Sequence, residues 1–294
     1  MTFAFEFDQL NNSLRSVLQK SLSPQAFQWL EGEGETIKKK NDVAKFNIAF
    51  VAMPRKSGKG PIVISDEEST QLSAIRKNFT VRGWTCDRLA RVWLLMMLPA
   101  EPKEKYISTI ENLFLSAEMS ELVALYSSLP VLAYPESWRK RCAEGIRSNI
   151  GQVLEAVICN NPYPSEYLDE IAWNQLVLKA IFTDKPILEI IGILDRANKT
   201  LAESLSDYAH ERWAAHREVN PLLWMCVGPF VDNRIFSDIQ RLFASGTELE
   251  KQAAALVCSE TKFSGAKALL DQYPQLKKDV EQGVISWKTI ADKA

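Results

Sequence analysis

Histidine is scarce in this sequence. His210 and His216 are its two imidazoles in 294 residues, and a catalytic zinc site often draws on two or three. His210-Glu211 begins like the helix of a zinc protease, but Ala214 stands where the second histidine would be. His216, six residues on, lies about 120° away around a helix. No metal is expected. Cysteine is also sparse. Cys86, Cys142, Cys159, Cys226 and Cys258 are odd in number and form no C-x-x-C pair. That excludes a zinc ribbon, argues against a disulfide scaffold, and suits a reducing, cytoplasmic setting.

Long apolar runs are missing. Val92-Trp-Leu-Leu-Met-Met-Leu98, closed by Pro99, is far short of the ~20 residues a membrane span needs. Acids at Glu6 and Asp8 replace the basic start of a secretory signal. No sign of charge dominates. Lys and Arg total 35 against 37 Asp and Glu, a net charge of −2, so nucleic acid is not an expected partner. Peripheral association with a membrane stays open.

Phosphate-binding loops are absent too. Gly58-Lys59-Gly60 lacks the first glycine and final hydroxyl of a Walker loop, and Gly32-Glu33-Gly34 has no third glycine for a dinucleotide. There is no G-x-S-x-G elbow and no aspartate-rich run for magnesium. No cofactor is expected.

Helical periodicity is what the sequence does have. Leu168, Ile171, Ala172, Leu176 and Ile181 share one helix face, as do Met119, Leu122, Val123, Tyr126 and Leu129. Trp138, Cys142, Ile146 and Ile150 recur at i+4, and Leu201, Leu205, Tyr208 and Ala209 make a further stripe. Ser65 to Glu68, Thr200 to Glu203 and Thr247 to Glu250 fit capping boxes. Pro24, Pro135 and Pro221 suit first helical turns. Ile62-Val-Ile64 is too short to found a sheet. Phe46, Ile48 and Phe50 alternate, but within a run from Glu35 to Met53 that reads as helix.

Short helices with brief connections predict an all-α single domain over 1–294, built of stacked αα-hairpins in a HEAT-like helical repeat, an α–α superhelix. Tyr134-Pro135 with Trp138 is echoed by Tyr163-Pro164 with Tyr167. Thr247 to Pro274 reads as two helices broken at Ser259 to Lys262. Residues 54–61, basic and rich in Gly and Pro, are expected to be a flexible surface loop, with Glu31 to Glu35 a second candidate.

Polar and aromatic residues concentrate between about 139 and 213. If the helix continues past Ile150, Arg147, Gly151 and Glu155 fall on one side, and the glycine permits close approach of a ligand. Glu144, Arg147, Glu155, Asn160, Asn161, Tyr163 and Asn174 are the candidate ligand-binding residues. Asp207, His210 and Glu211 cluster at i, i+3 and i+4, so Asp207 could orient the imidazole as an acid–base group. Each piece has a plainer reading. Arg and Glu at i, i+3 are commonly a solvated ion pair, Asn160 and Asn161 a cap and turn, and Asn174 a bond to a neighbouring loop.

Several linked words carry a resemblance. They are Asp87-Arg88-Leu-Ala-Arg91, Glu118 to Tyr126, Leu129-Pro with Tyr134-Pro-Glu136, Ala143 to Arg147, Asn161-Pro-Tyr-Pro164, Leu168-Asp-Glu with Ala172 to Gln175, and Asp207 to Ala215. Together they resemble the EboA family, most closely over residues 84–230. The resemblance implies a bacterial gene cluster for a secondary metabolite, with neighbours like a membrane prenyltransferase, a TatD-like hydrolase and a sugar-phosphate cyclase. In cyanobacteria such clusters are tied to the indole pigment scytonemin. It carries over no reaction and no catalytic residue.

The sequence thus points to a soluble accessory protein that binds a pathway intermediate or another cluster-encoded protein on a concave helical face. One alternative is a pathway enzyme using Asp207, His210 and Glu211, with Arg147 as the anion contact. Another is a structural subunit of a membrane-associated assembly.

Overall fold

Apolar side chains at three- and four-residue spacing make helices throughout, and the computed structural model, which describes residues 2–294, is all-α. Among the described residues, β structure is limited to one isolated bridge between Pro61 and Thr85. The chain divides into two compact units, up to Ala172 and from Trp173 to Ala294.

The first unit contains α1 (Phe7–Ser21), α2 (Pro24–Lys40), α3 (Val43–Ser57), α4 (Asp66–Ile75), α5 (Cys86–Met96), α6 (Lys103–Ser116), α7 (Met119–Ser128), α8 (Arg139–Ile146), α9 (Gly151–Ile158) and α10 (Tyr163–Tyr167). At its centre, α5 packs on α1, α3 and α7. Every residue of α5 except Arg88 is buried, so the apolar run beginning at Val92 is a core helix covered on all sides. Helix α7 lies between α5 and α9. Two neighbours cover it, so Ala124, Leu125, Tyr126, Ser127 and Ser128 are all buried, while Met119 of the expected stripe stays exposed.

Local signals explain several boundaries. The run from Glu35 to Met53 is two helices, because Asn41 turns left-handed (φ 49°) and Asp42 caps α3 by accepting from Lys45 N at 3.0 Å. Glu31 to Glu35 is not a loop but part of α2. Its Gly34 faces Trp93, where an added Cβ would come within 2.7 Å of the ring. Glycine here serves close approach rather than flexibility. The segment 54–61 is helical in its first half, since α3 continues through Pro54 to Ser57, and the loop starts at Gly58 (φ 74°).

The helix from Trp138 does not continue past Ile150. It stops at Ile146, and α9 starts afresh at Gly151. The close approach expected at Gly151 occurs at Gly145, where a Cβ would come within 2.5 Å of the Tyr126 ring and 2.7 Å of Val157.

Helix α11 (Glu170–Phe182) crosses the division, and its expected face member Ile171 is exposed. The second unit holds α12 (Lys199–Ala214), α13 (Asn233–Ser245), α14 (Glu248–Glu260), α15 (Ser264–Leu270), α16 (Pro274–Glu281) and α17 (Trp287–Ala291). Helix α14 is its axis. It packs on α13, α15, α16 and α17, and on the 3-10 turns Pro221–Cys226 and Gly228–Phe230. Ala253, Ala254 and Ala255 are fully buried there, small enough for neighbours to close in on several sides.

Capping boxes form at Ser65 with Glu68 and at Thr247 with Glu250. Thr200 caps nothing. Asn198 takes the N-cap of α12 instead, accepting from Leu201 N at 2.9 Å, which places Thr200 already inside the first turn. The break expected near Ser259 to Lys262 is the gap between α14 and α15.

Candidate functional site

The word Asp87-Arg-Leu-Ala-Arg91 places two arginines one turn apart on α5. Arg91 is buried and fully engaged. Nη1 donates to Asp87 Oδ2 at 2.9 Å, Nη2 lies 3.8 Å from Glu121 Oε1, and Nε donates to the Phe50 carbonyl at 3.0 Å. That last bond has a cause in the sequence. Phe50 O would normally accept from residue 54, but Pro54 has no N–H, so the arginine supplies the missing donor. Arg76 of the turn after α4 is equally committed. Its two Nη atoms grip Glu166 at 2.8 and 2.5 Å and its Nε donates to Pro130 O at 2.9 Å, a bidentate fork.

Arg88 differs. Its guanidinium lies 4.2 Å over the Trp84 ring, and Nε donates to Ser127 Oγ at 2.8 Å. Ser127 in turn donates to the Val123 carbonyl. Among the described residues no carboxylate comes within ion-pair reach of Arg88. Asp87 is the neighbour in sequence, but Thr85 Oγ1 holds one of its oxygens at 2.6 Å and Arg91 holds the other. Burial pulls the Arg88 pKa down to about 10, with Asp87 opposing the shift. The side chain borders a narrow slot with Phe79, Trp84, Pro130, Cys159, Asn160 and Asn161.

Of the candidate ligand residues in this unit, Asn160 and Asn161 reach that slot. Asn160 sits at φ 51° in the turn after α9. Asn161 is buried, and its amide ties three segments together. Nδ2 donates to Tyr126 O at 3.2 Å and Ala156 O at 2.9 Å, and Oδ1 accepts from Tyr163 N at 3.0 Å. Tyr163 donates to Pro135 O at 2.6 Å and stacks on Tyr167 at 4.8 Å, and burial pushes its phenol well up. Glu144 accepts from Arg141 Nη1 at 2.7 Å, and Arg141 also grips Glu111. Arg147 is exposed at the end of α8 and Glu155 is exposed on α9, so they do not share the continuous helix that would have set them on one side with Gly151.

Asn174 belongs to the second unit. Its amide exchanges two hydrogen bonds with Asn198, at 3.2 and 2.7 Å. The acid–base cluster is rearranged there. Asp207 pairs with Arg234 rather than with His210. His210 Nε2 lies 2.5 Å from Oδ1 of Asp238 on α13, and Ser206 Oγ donates to the other oxygen of Asp238 at 2.7 Å. Asp238 is buried while His210 is half exposed. Glu211 is exposed. Asp238 was missed because helix spacing relates residues within α12, not residues 28 apart; Ser206, one turn before His210 on α12, was within that spacing, but a lone helix hydroxyl carries no signal of its own.

Also in this unit, Ile181, Tyr208, Arg212, Asn220, Pro221 and Leu249 line part of a cleft of about 630 Å³. The Tyr208 ring packs on Phe182 at 4.4 Å, and Arg212 Nε donates to Glu218 O at 2.8 Å. No group of three metal-ligating side chains converges among the described residues. No helix there is long and apolar enough to cross a membrane.

Comparison with known proteins gives one result. A family model described as "Metabolite traffic protein EboA" matches residues 10–228. No curated protein and no solved structure matches. The matched stretch takes in α1 through α12 almost entire, with both arginines of α5, the Asn161 turn and His210, and stops before α13. The linked words, from Asp87 to Ala215, all fall inside this match, which also reaches well before residue 84: the chain belongs to the EboA family.

Proposed function

We propose that the protein is an accessory binding protein of a secondary-metabolite pathway, holding an intermediate in the cleft of its second unit. An accessory role in a metabolite pathway fits the family's description as metabolite traffic proteins. The observation that carries binding is the cleft itself. At about 630 Å³ it has the size of a small-molecule site. Its lining is mixed: the Tyr208 ring, Ile181, Pro221 and Leu249 stand beside Arg212, Lys293, Asn220 and several carboxylates, Asp184 and Glu250 among them. Binding there asks for no chemistry from the protein. A cytoplasmic location and contact with other cluster-encoded proteins belong to the same reading.

The test is native mass spectrometry of protein purified gently from a host carrying the whole cluster. A small molecule retained by the native chain, and lost in Tyr208→Ala with Arg212→Ala, is the expected result. A bare chain, or a ligand the double variant retains undiminished, overturns the reading.

A second reading has one specific observation in its favour. His210 is anchored through one ring nitrogen by the buried Asp238, as in an acid–base dyad. A pathway enzyme would use this pair, not Asp207 with Glu211. Full product formation in cells by a folded His210→Ala variant excludes it.

A further inference from the structure

We infer that the outer face of α3, with the basic loop that follows it, docks on an anionic lipid bilayer. The inference concerns the first unit alone and does not depend on the cleft of the second.

The argument starts from a helix that is apolar on both sides. Helix α3 buries Phe46, Ala49, Phe50 and Met53 and packs on α2 and α5. Its opposite face should then be polar, as on the neighbouring α2, where Gln25, Gln28, Glu35 and Lys38 meet solvent. On α3 it is not. Ile48 is 71% exposed and Val51 53% exposed, and Ala44, Ile48, Val51 and Arg55 fall in one row at helical spacing. Single apolar side chains on a surface are ordinary. A row of them behind a face already in the core is not, since a helix apolar all round is normally covered all round.

Charge says what covers it. From Val43 to Ser65 the chain has no acidic residue, yet it carries Lys45, Arg55, Lys56 and Lys59. Lys45 is met by Glu33 of α2 at 3.5 Å, and Lys56 lies 5.6 Å over the Trp29 ring. Among the described residues no carboxylate pairs with Arg55, Lys56 or Lys59. Gly58, at φ 74°, ends the helix and leaves Lys59 exposed on the loop. Aliphatic side chains along the middle of a face, with cations at its flank and end, make the pattern of a helix lying in a headgroup layer. Ile48 and Val51 enter the acyl boundary while Arg55, Lys56 and Lys59 meet lipid phosphates. A protein partner is the poorer fit. Protein interfaces concentrate aromatic and methionine anchors and are depleted in lysine and alanine, and this row has the reverse composition.

Co-sedimentation of the full chain with vesicles tests this. Vesicles of phosphatidylcholine with phosphatidylglycerol, at about three to one, are compared with phosphatidylcholine alone. The expected result is saturable binding to the anionic vesicles, weaker by about tenfold or more on the neutral ones and in high salt. Two double variants separate the contributions. Ile48→Ser with Val51→Ser removes the apolar row and keeps the charge, and Arg55→Glu with Lys59→Glu does the reverse. Each is expected to weaken binding about tenfold or more. All four side chains are exposed, and circular dichroism checks that the variants stay folded. Ile171→Ser, 74% exposed on another helix, is expected to bind as the unaltered chain does. No binding to anionic vesicles, undiminished binding by either double variant, or an equal loss in Ile171→Ser overturns the inference. So does a dimer, seen by native mass spectrometry, that the serine pair dissociates, because a second copy then covers the face. If a variant does not fold, the comparison of lipids and salt on the unaltered chain still decides.

Discussion

Arg91 and Arg88 sit one turn apart on the same helix, yet their surroundings are opposite. Arg91 arrives in the core with two carboxylates and a carbonyl waiting. Arg88 borders a slot with one hydroxyl and one indole. The comparison teaches that an arginine drawn into the protein, wholly as Arg91 or in part as Arg88, is not one kind of feature. Where its partners come from the chain, it holds elements together. Where no carboxylate meets it, as at the half-buried Arg88, it rests on a ring face and a neutral hydroxyl. Arg91 joins three parts of the first unit: α5 through Asp87, α7 through Glu121, and α3 through the carbonyl that Pro54 leaves without its helical donor.

The largest effect follows from breaking the first half of this comparison. Arg91→Met strands Asp87, Glu121 and the Phe50 carbonyl together. Chemical denaturation is expected to show a loss of about 3–5 kcal/mol. A loss below about 1 kcal/mol reduces the network to the weight of a surface pair. The link to Pro54 is read by a double-mutant cycle. Pro54→Ala restores an N–H for Phe50 O, so Arg91→Met should be milder in that background by about 1 kcal/mol. Strict additivity removes the link.

Arg88→Met sharpens the other half. No carboxylate loses a partner, so the midpoint of unfolding is expected to move by no more than about 1 kcal/mol in either direction. The smallest effect concerns an acidic counterpart in the second unit. Burial raises the pKa of Glu260, and the hydrogen bond from Trp287 opposes the shift only in part. A folded pKa above the unfolded one contributes stability that is complete below about 4.3 and is lost as the pH rises through the folded value. Glu260→Gln should therefore flatten the change in stability across that window. Denaturation curves at pH 4 and pH 7 measure it, and an unchanged difference between them counts against the assignment.

Much of the fold was legible because its signals are local. Caps at Ser65 and Thr247, first-turn prolines, and the break between α14 and α15 depend on residues close in sequence. Failures came where a distant neighbour decides. The Glu31 to Glu35 stretch looks like a flexible loop until Trp93 is placed against Gly34. The face of α7 looks like one stripe until both α5 and α9 cover it. The site followed the same rule. Asn161 and Tyr163 were readable as a polar concentration, but their atoms are used by Tyr126, Ala156 and Pro135. His210 was readable, but its carboxylate lies 28 residues on. Arg88 stood within a quoted word, and only the commitment of Asp87 to other partners singles it out.

Helix α14 has a consequence for how the second unit opens and closes. With α13, α15, α16, α17 and two 3-10 turns resting on it, its central amides around Ala254 should exchange with deuterium only when the whole unit comes apart, whereas peripheral helices fray singly. The stretch matched by the family model ends at 228, short of this helix. A fragment cut at that point would carry Trp224 and its neighbours without the surface that covers them. It is the last sixty-odd residues, not the family-matched part, that decide whether the second unit has an inside.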